Sequence, residues 1–180
     1  MYTAINLRPH LSKSASPTYW YLALTYFNIV LPAFLPTSSA VFWHRARLVK
    51  SQTQYAVHSP FLVSRSLQMA STRASRARGL PQPLAPVEAI VPSAPSAALL
   101  GLSLIGNLDR TYTRVSYPPS VQLHSVTTAS RLKPGGMLLL EHTFGDKLWL
   151  HLCWDEMGFE EGQVEQFWEG LKSAVEEFLC

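Results

Sequence analysis

Residues 137–154, MLLLEHTF-GD-KLWLHLCW, read as two apolar strands of eight residues joined by Gly145-Asp146. A Gly-Asp pair between alternating apolar residues is a signal for a two-residue hairpin turn. Such a turn fixes the register, because side chains alternate with period two. Phe144 then faces Lys147, His142 faces Trp149, and Leu140 faces His151. The opposite face holds Met137, Leu139, Leu148, Leu150, Leu152 and Trp154, and is the expected core side. His142 and His151 become diagonal neighbours on the less apolar face.

Working outward, Lys133-Pro134-Gly135-Gly136 reads as a turn into this hairpin, and residues 99–105 and 121–128 read as further strands. Beyond the hairpin, Val164, Phe167, Trp168, Leu171, Ala174, Val175 and Phe178 recur at helical spacing. Glu160 and Glu161 sit where negative charge favours the start of that helix. Upstream, residues 2–7 and 20–30 are rich in aromatic and branched residues and read as strands. Ser38 or Ser39 caps a helix running to about Gln54, with Arg45, Arg47 and Lys50 on one side. Ser59-Pro60 and Gly79 bracket a second helix with an apolar stripe at Val63, Leu67, Ala70, Ala74 and Ala77. Residues 80–98 carry five prolines and read as an extended loop. The expected fold class is α/β (α+β): a mixed or antiparallel sheet with flanking helices, in a single domain over residues 1–180.

Hydrophobic residues make up 47% of the 180-residue chain and charged ones 15%, which excludes charge-driven disorder. The charge is unevenly placed. Residues 1–100 hold nine Lys/Arg and one acid, a balance of +8; residues 101–180 hold six Lys/Arg and eleven acids, a balance of −5. Arginines at 65, 73, 76 and 78 do not interleave with aromatics, and the acidic second half opposes a polyanion, so no nucleic-acid partner is expected. Two cysteines make no disulfide framework, and the first ten residues lack an apolar signal core, so a cytoplasmic setting is the default. Residues 19–35 are uncharged and apolar, but Asn28 and Pro32 interrupt them, and a buried element is expected there in place of a membrane span.

Two His-x-x-x-Asp patterns occur, His142…Asp146 and His151…Asp155. Six histidines and three aspartates in this length would seldom produce two by chance. A histidine oriented in this way can take the proton from an alcohol as it attacks a thioester. His142 and Asp146 are therefore the candidate catalytic residues, although the hairpin puts one in a strand and the other in the turn, followed by Lys147. Two imidazoles without a third ligand make no zinc site, so no metal is expected. The sequence has no nucleophile elbow, and its Gly135-Gly136 pair lies between strands, unlike a phosphate-binding loop.

Several phrases, in order, resemble one family. They are Asn6-Leu7-Arg8-Pro9, Tyr26-Phe27-Asn28-Ile29-Val30-Leu31-Pro32 and Phe42-Trp43-His44-Arg45-Ala46-Arg47. They continue with Leu102-Ser103-Leu104-Ile105-Gly106-Asn107-Leu108-Asp109, Gly135-Gly136-Met137-Leu138-Leu139 and His142-Thr143-Phe144-Gly145-Asp146-Lys147-Leu148-Trp149. Together they resemble the C-terminal half of fungal acyltransferases with the chloramphenicol-acetyltransferase-like fold, of the trichothecene 15-O-acetyltransferase type. These are related to the plant BAHD enzymes and to peptide-synthetase condensation domains.

The resemblance implies one lobe of that fold and a CoA-dependent O-acyltransferase of fungal secondary-metabolite (mycotoxin) biosynthesis. Acyl-CoA, such as acetyl-CoA, would be the co-substrate and a small-molecule alcohol the acceptor. It also implies that Ser103 and Gly106 match a tunnel-lining Ser-x-x-Gly strand. Asn28 would match a segment facing the tunnel, and Arg8 the arginine that holds the catalytic aspartate's loop. The family's His-His-x-x-x-Asp-Gly motif belongs to its first half and is not in this sequence. The expectation is a truncated acyltransferase lobe that pairs with a partner lobe or forms a homodimer. The alternative is a non-catalytic half-fold that binds a metabolite or protein partner.

Overall fold

Gly145 and Asp146 both adopt positive φ, 63° and 60°, in the computed structural model, which describes residues 1–11, 23–32, 38–80, 100–132 and 134–179. Positive φ at both central positions is what a type I′ turn requires. Strands β4 (Met137–Phe144) and β5 (Lys147–Trp154) therefore pair antiparallel in the expected register, from Phe144↔Lys147 through His142↔Trp149 and Leu140↔His151 to Met137↔Trp154.

Strand β3 (Leu100–Asn107) pairs parallel with β4, starting at Leu100↔Met137. The register shifts between Leu104 and Gly106, where Gly106 has φ 92°, and Gly106 comes opposite His142. This is a bulge that glycine accommodates without a Cβ penalty. Strand β1 (Tyr2–Asn6) pairs parallel with β3 through Tyr2↔Gly101 and Thr3↔Leu102. A Cβ on Gly101 would lie 2.6 Å from the far end of the Tyr2 ring, which would have to shift to make room. With β2 (Leu24–Asn28), the mixed five-stranded sheet has the order β2-β1-β3-β4-β5. The described fold is thus α+β, with three α-helices.

The chain divides into two compact units, Met1–Thr3 with Leu99–Cys180, and Ala4–Ala98. In the first, Met137, Leu139, Leu140, Phe144, Leu108 and Val164 are buried. Helix α3 (Gln163–Leu179) turns Val164, Phe167, Trp168, Leu171, Ala174, Val175 and Phe178 away from solvent, the stripe the spacing predicts. Its start is tied by Gln163 Oε1, which accepts the Glu160 N–H at 3.0 Å, an arrangement that satisfies an exposed donor ahead of the helix.

Two expectations for this unit change. Residues 121–128 form no strand. Thr143 is exposed and Leu148 and Trp154 are each 45% exposed, whereas His142 and Phe144 are each 1% exposed. Near the turn the buried face is therefore the one that carries His142. The flat His142 and His151 rings stack beside the Trp149 ring there.

In the second unit, helix α1 (Ser39–Val57) is capped by Ser38 Oγ, which accepts the Val41 N–H. The Gln52 carboxamide accepts the Val30 N–H at 2.9 Å and donates to the Val30 carbonyl at 2.8 Å, pinning the chain just after β2. Arg45 donates to the Pro32 carbonyl at 3.1 Å. Helix α2 (Leu62–Ala77) begins two residues after Pro60, and Gly79 closes it with φ 68°. That start shifts the covered stripe to Leu62, Ser66 and Met69; Val63 is exposed and Leu67 is 72% exposed, against the expected stripe. Arg73 lies over the Tyr26 ring at 4.9 Å, a cation–π contact. Ile5, Leu7, Ala23, Phe27, Ile29 and Leu62 are buried in this unit. The expected proline-rich loop at 80–98 lies outside the described residues, apart from its first residue. So do residues 19–22 and 33–35 of the uncharged stretch. Among the described residues no helix is long and apolar enough to cross a membrane.

Candidate functional site

The hairpin register puts His142, Trp149 and His151 on one face, and their rings lie nearly parallel. His142 and His151 stack with centroids 5.2 Å apart and planes 13° apart. Trp149 lies 6.5 Å from His142 and 6.4 Å from His151, within 11° and 4° of parallel. The indole is held by its Nε1–H, which donates to the Phe144 carbonyl at 2.9 Å. Cross-strand ring packing of this kind is what stabilises a hairpin face.

His142 is enclosed, and neither of its ring nitrogens makes a well-formed hydrogen bond among the described residues. Burial, and then the neighbouring His151 imidazole, hold its pKa below the usual histidine value; the Val126 main chain opposes the shift. The ring is therefore neutral at pH 7. A general base also needs an orienting partner and a route for substrate to its nitrogen. Asp146 is in the turn with φ 60°, a conformation that short polar side chains tolerate, and its place there follows from hairpin closure. The pair has the spacing of a base and its orienter without their arrangement.

The second pattern separates in the same way. Asp155 Oδ2 accepts the Gly135 N–H at 2.7 Å, so its carboxylate holds the turn ahead of β4. Sequence reasoning missed Asp109, whose carboxylate accepts the Gly145 N–H at 3.1 and 3.2 Å from its two oxygens. An acid two residues beyond a strand end gave no local signal for that bond.

Ser103 and Gly106 both lie in β3, before and after its bulge, and Gly106 is exposed opposite His142. Leu104 and Ile105 between them are 59% and 40% exposed. Arg8 and Asn28 belong to the other compact unit. Arg8 is exposed in a 3-10 turn, Arg8–His10, where its N–H donates to Asn6 Oδ1 at 3.0 Å; Asn28 is exposed at the end of β2. Among the described residues no group of three His, Cys, Asp or Glu side chains could hold a metal ion.

A cleft of about 460 Å³ lies against β5 and the first turns of α3. Leu150, Leu152, Trp154, Val164 and Trp168 are among its apolar members, and Thr127, Thr128, His151 and Glu165 are polar ones. Sequence reasoning did not find it, because Thr128 falls in a segment read as a strand. Compared with protein-family models, curated proteins and solved structures, the chain matches none of them.

Proposed function

We propose that the chain is the acceptor-side lobe of a CoA-dependent O-acyltransferase of fungal secondary metabolism, with the chloramphenicol-acetyltransferase-like fold. It would receive an acyl group from a CoA thioester, acetyl-CoA being the simplest, onto a small-molecule alcohol. The observation that carries this reading is β3. The Ser103-Leu104-Ile105-Gly106 stretch that resembles the family's tunnel strand is a strand, and its Leu104–Gly106 portion is open to solvent. The buried, unoriented His142 supports a division of labour in which the proton-abstracting histidine comes from a His-His-x-x-x-Asp-Gly segment, which this sequence does not contain. In that arrangement Ser103 and Gly106 line the acceptor's path, Asn28 faces it, and Arg8 helps to hold the loop of the catalytic aspartate.

The test is acylation of an alcohol panel by acetyl-CoA, with the chain alone and mixed with a separately expressed lobe that carries the motif. Transfer only in the mixture supports the reading. A second reading, a non-catalytic lobe that binds a metabolite or protein partner, is favoured by the apolar cleft beside β5. Binding without transfer in the mixture selects it.

A further inference from the structure

The cleft beside β5 joins two tryptophans to a carboxylate that no cation neutralises. Alternation along β5 puts the Leu150, Leu152 and Trp154 side chains on one face of the strand. Val164 and Trp168 are four residues apart on α3 and so share one face of that helix. They give the cleft, of about 460 Å³, an apolar and aromatic wall in the size range of small-molecule sites. That surface can be reached, since Trp154 is 45% exposed and Trp168 is half-buried. Glu165 lines the same cleft and is exposed. Among the described residues no ion pair engages it, whereas Glu169, four residues on, is bonded to Lys172 at 2.7 Å. The start of α3 contributes about half a positive charge, which Glu160, Glu161 and Glu165 together outweigh.

We propose that this cleft binds a small organic cation, an ammonium group carried on an apolar ring system. The ring system buries against the leucines and tryptophans, and the ammonium meets the Glu165 carboxylate at the exposed side. An ammonium offers only donors, which suits a carboxylate acceptor. A cation is also attracted to the face of an indole, the strongest of the aromatic side chains in this respect. A neutral alcohol gains the apolar contact alone, and an anion is repelled by the carboxylate. Glu165 stays in solvent, so its share of the affinity is modest and sensitive to salt. The site lies wholly within one compact unit and does not rest on the acyltransferase reading.

The test titrates the full chain with three probes that share a naphthalene ring. They are 2-naphthylmethylamine as the cation, 2-naphthalenemethanol as its neutral counterpart and 2-naphthoate as the anion. Calorimetry at low salt gives the affinities, and the indole N–H resonances locate the site. The cation should bind roughly fivefold more tightly than the alcohol, and the anion most weakly. Glu165→Gln should remove that margin and leave the alcohol's affinity unchanged; high salt should shrink it. Trp154→Leu should weaken cation and alcohol alike. The Trp154 and Trp168 signals should shift on binding, while Trp43, in the other compact unit, stays in place. Absence of cation binding, a cation no tighter than the alcohol, or a margin that survives Glu165→Gln overturns the proposal. So do shifts at Trp43 as large as those at Trp154 and Trp168.

Discussion

Asp155 and Gly135 are joined across the base of the hairpin by a 2.7 Å bond from the Gly135 N–H to the Asp155 carboxylate. The Asp155 N–H donates in turn to the Gly136 carbonyl at 3.0 Å, and the Gly158 N–H donates to the Asp155 carbonyl at 2.9 Å. The chain packs so closely there that a Cβ on Gly158 would lie 2.6 Å from the Gly135 Cα. The acid of the second His-x-x-x-Asp pattern is therefore a fastening between two turns.

Asp155→Ala removes the carboxylate and strands a part-buried donor, at a cost of about 1–3 kcal/mol. Gly158→Ala forces backbone apart and costs about the same. Urea denaturation midpoints check both, and an unchanged midpoint in either variant contradicts the fastening.

Asp146 occupies a left-handed position that the turn demands. Asp146→Gly and Asp146→Asn should keep the hairpin, whereas Asp146→Val puts a β-branched residue at φ 60° and should cost about 1–2 kcal/mol. If Asp146 oriented a catalytic base, the Asn variant would lose any acyl transfer while remaining folded.

His142 makes stability depend on pH. Its native pKa lies below the unfolded value of about 6.5, so between the two the unfolded chain binds the extra proton. Its contribution is therefore fully present above about pH 6.5 and is lost as pH falls through the native pKa. Denaturation at stepped pH should show stability falling in that window. His142→Leu should flatten this part of the profile, and a variant with the wild-type slope contradicts the assignment.

Asp109 closes the far end of the same hairpin. Asp109→Ala should speed hydrogen exchange at the Gly145 amide, with little change at amides in the middle of β4. Unchanged exchange at Gly145 contradicts the bond.

The hairpin register was legible because Gly145-Asp146 leaves only one way to pair strands of equal length, and the Leu–Trp–Phe spacing of α3 identified its covered face residue by residue. Helix α2 was misread by one position: its expected stripe relied on alanines, which carry little hydrophobic preference, and on a start at Pro60 where the helix begins at Leu62. The buried side of the hairpin near its turn was hidden because histidine counts as polar in a pattern, while a stacked neutral imidazole packs as an apolar plate. The cleft was illegible because the segments that line it, 127–129, 150–154 and 164–168, are brought together by packing alone.

In the proposed function this chain supplies an acceptor-side lobe and not the catalytic base. The most direct test of that assignment is the rate of acetyl-CoA-dependent acylation of an alcohol panel by the chain, by its His142→Ala variant, and by each mixed with a lobe bearing His-His-x-x-x-Asp-Gly. No transfer is expected from the chain alone, equal transfer from the two mixtures, and loss of transfer when Ser103→Tyr narrows the acceptor's path. Turnover by the isolated chain that disappears with His142→Ala would contradict it.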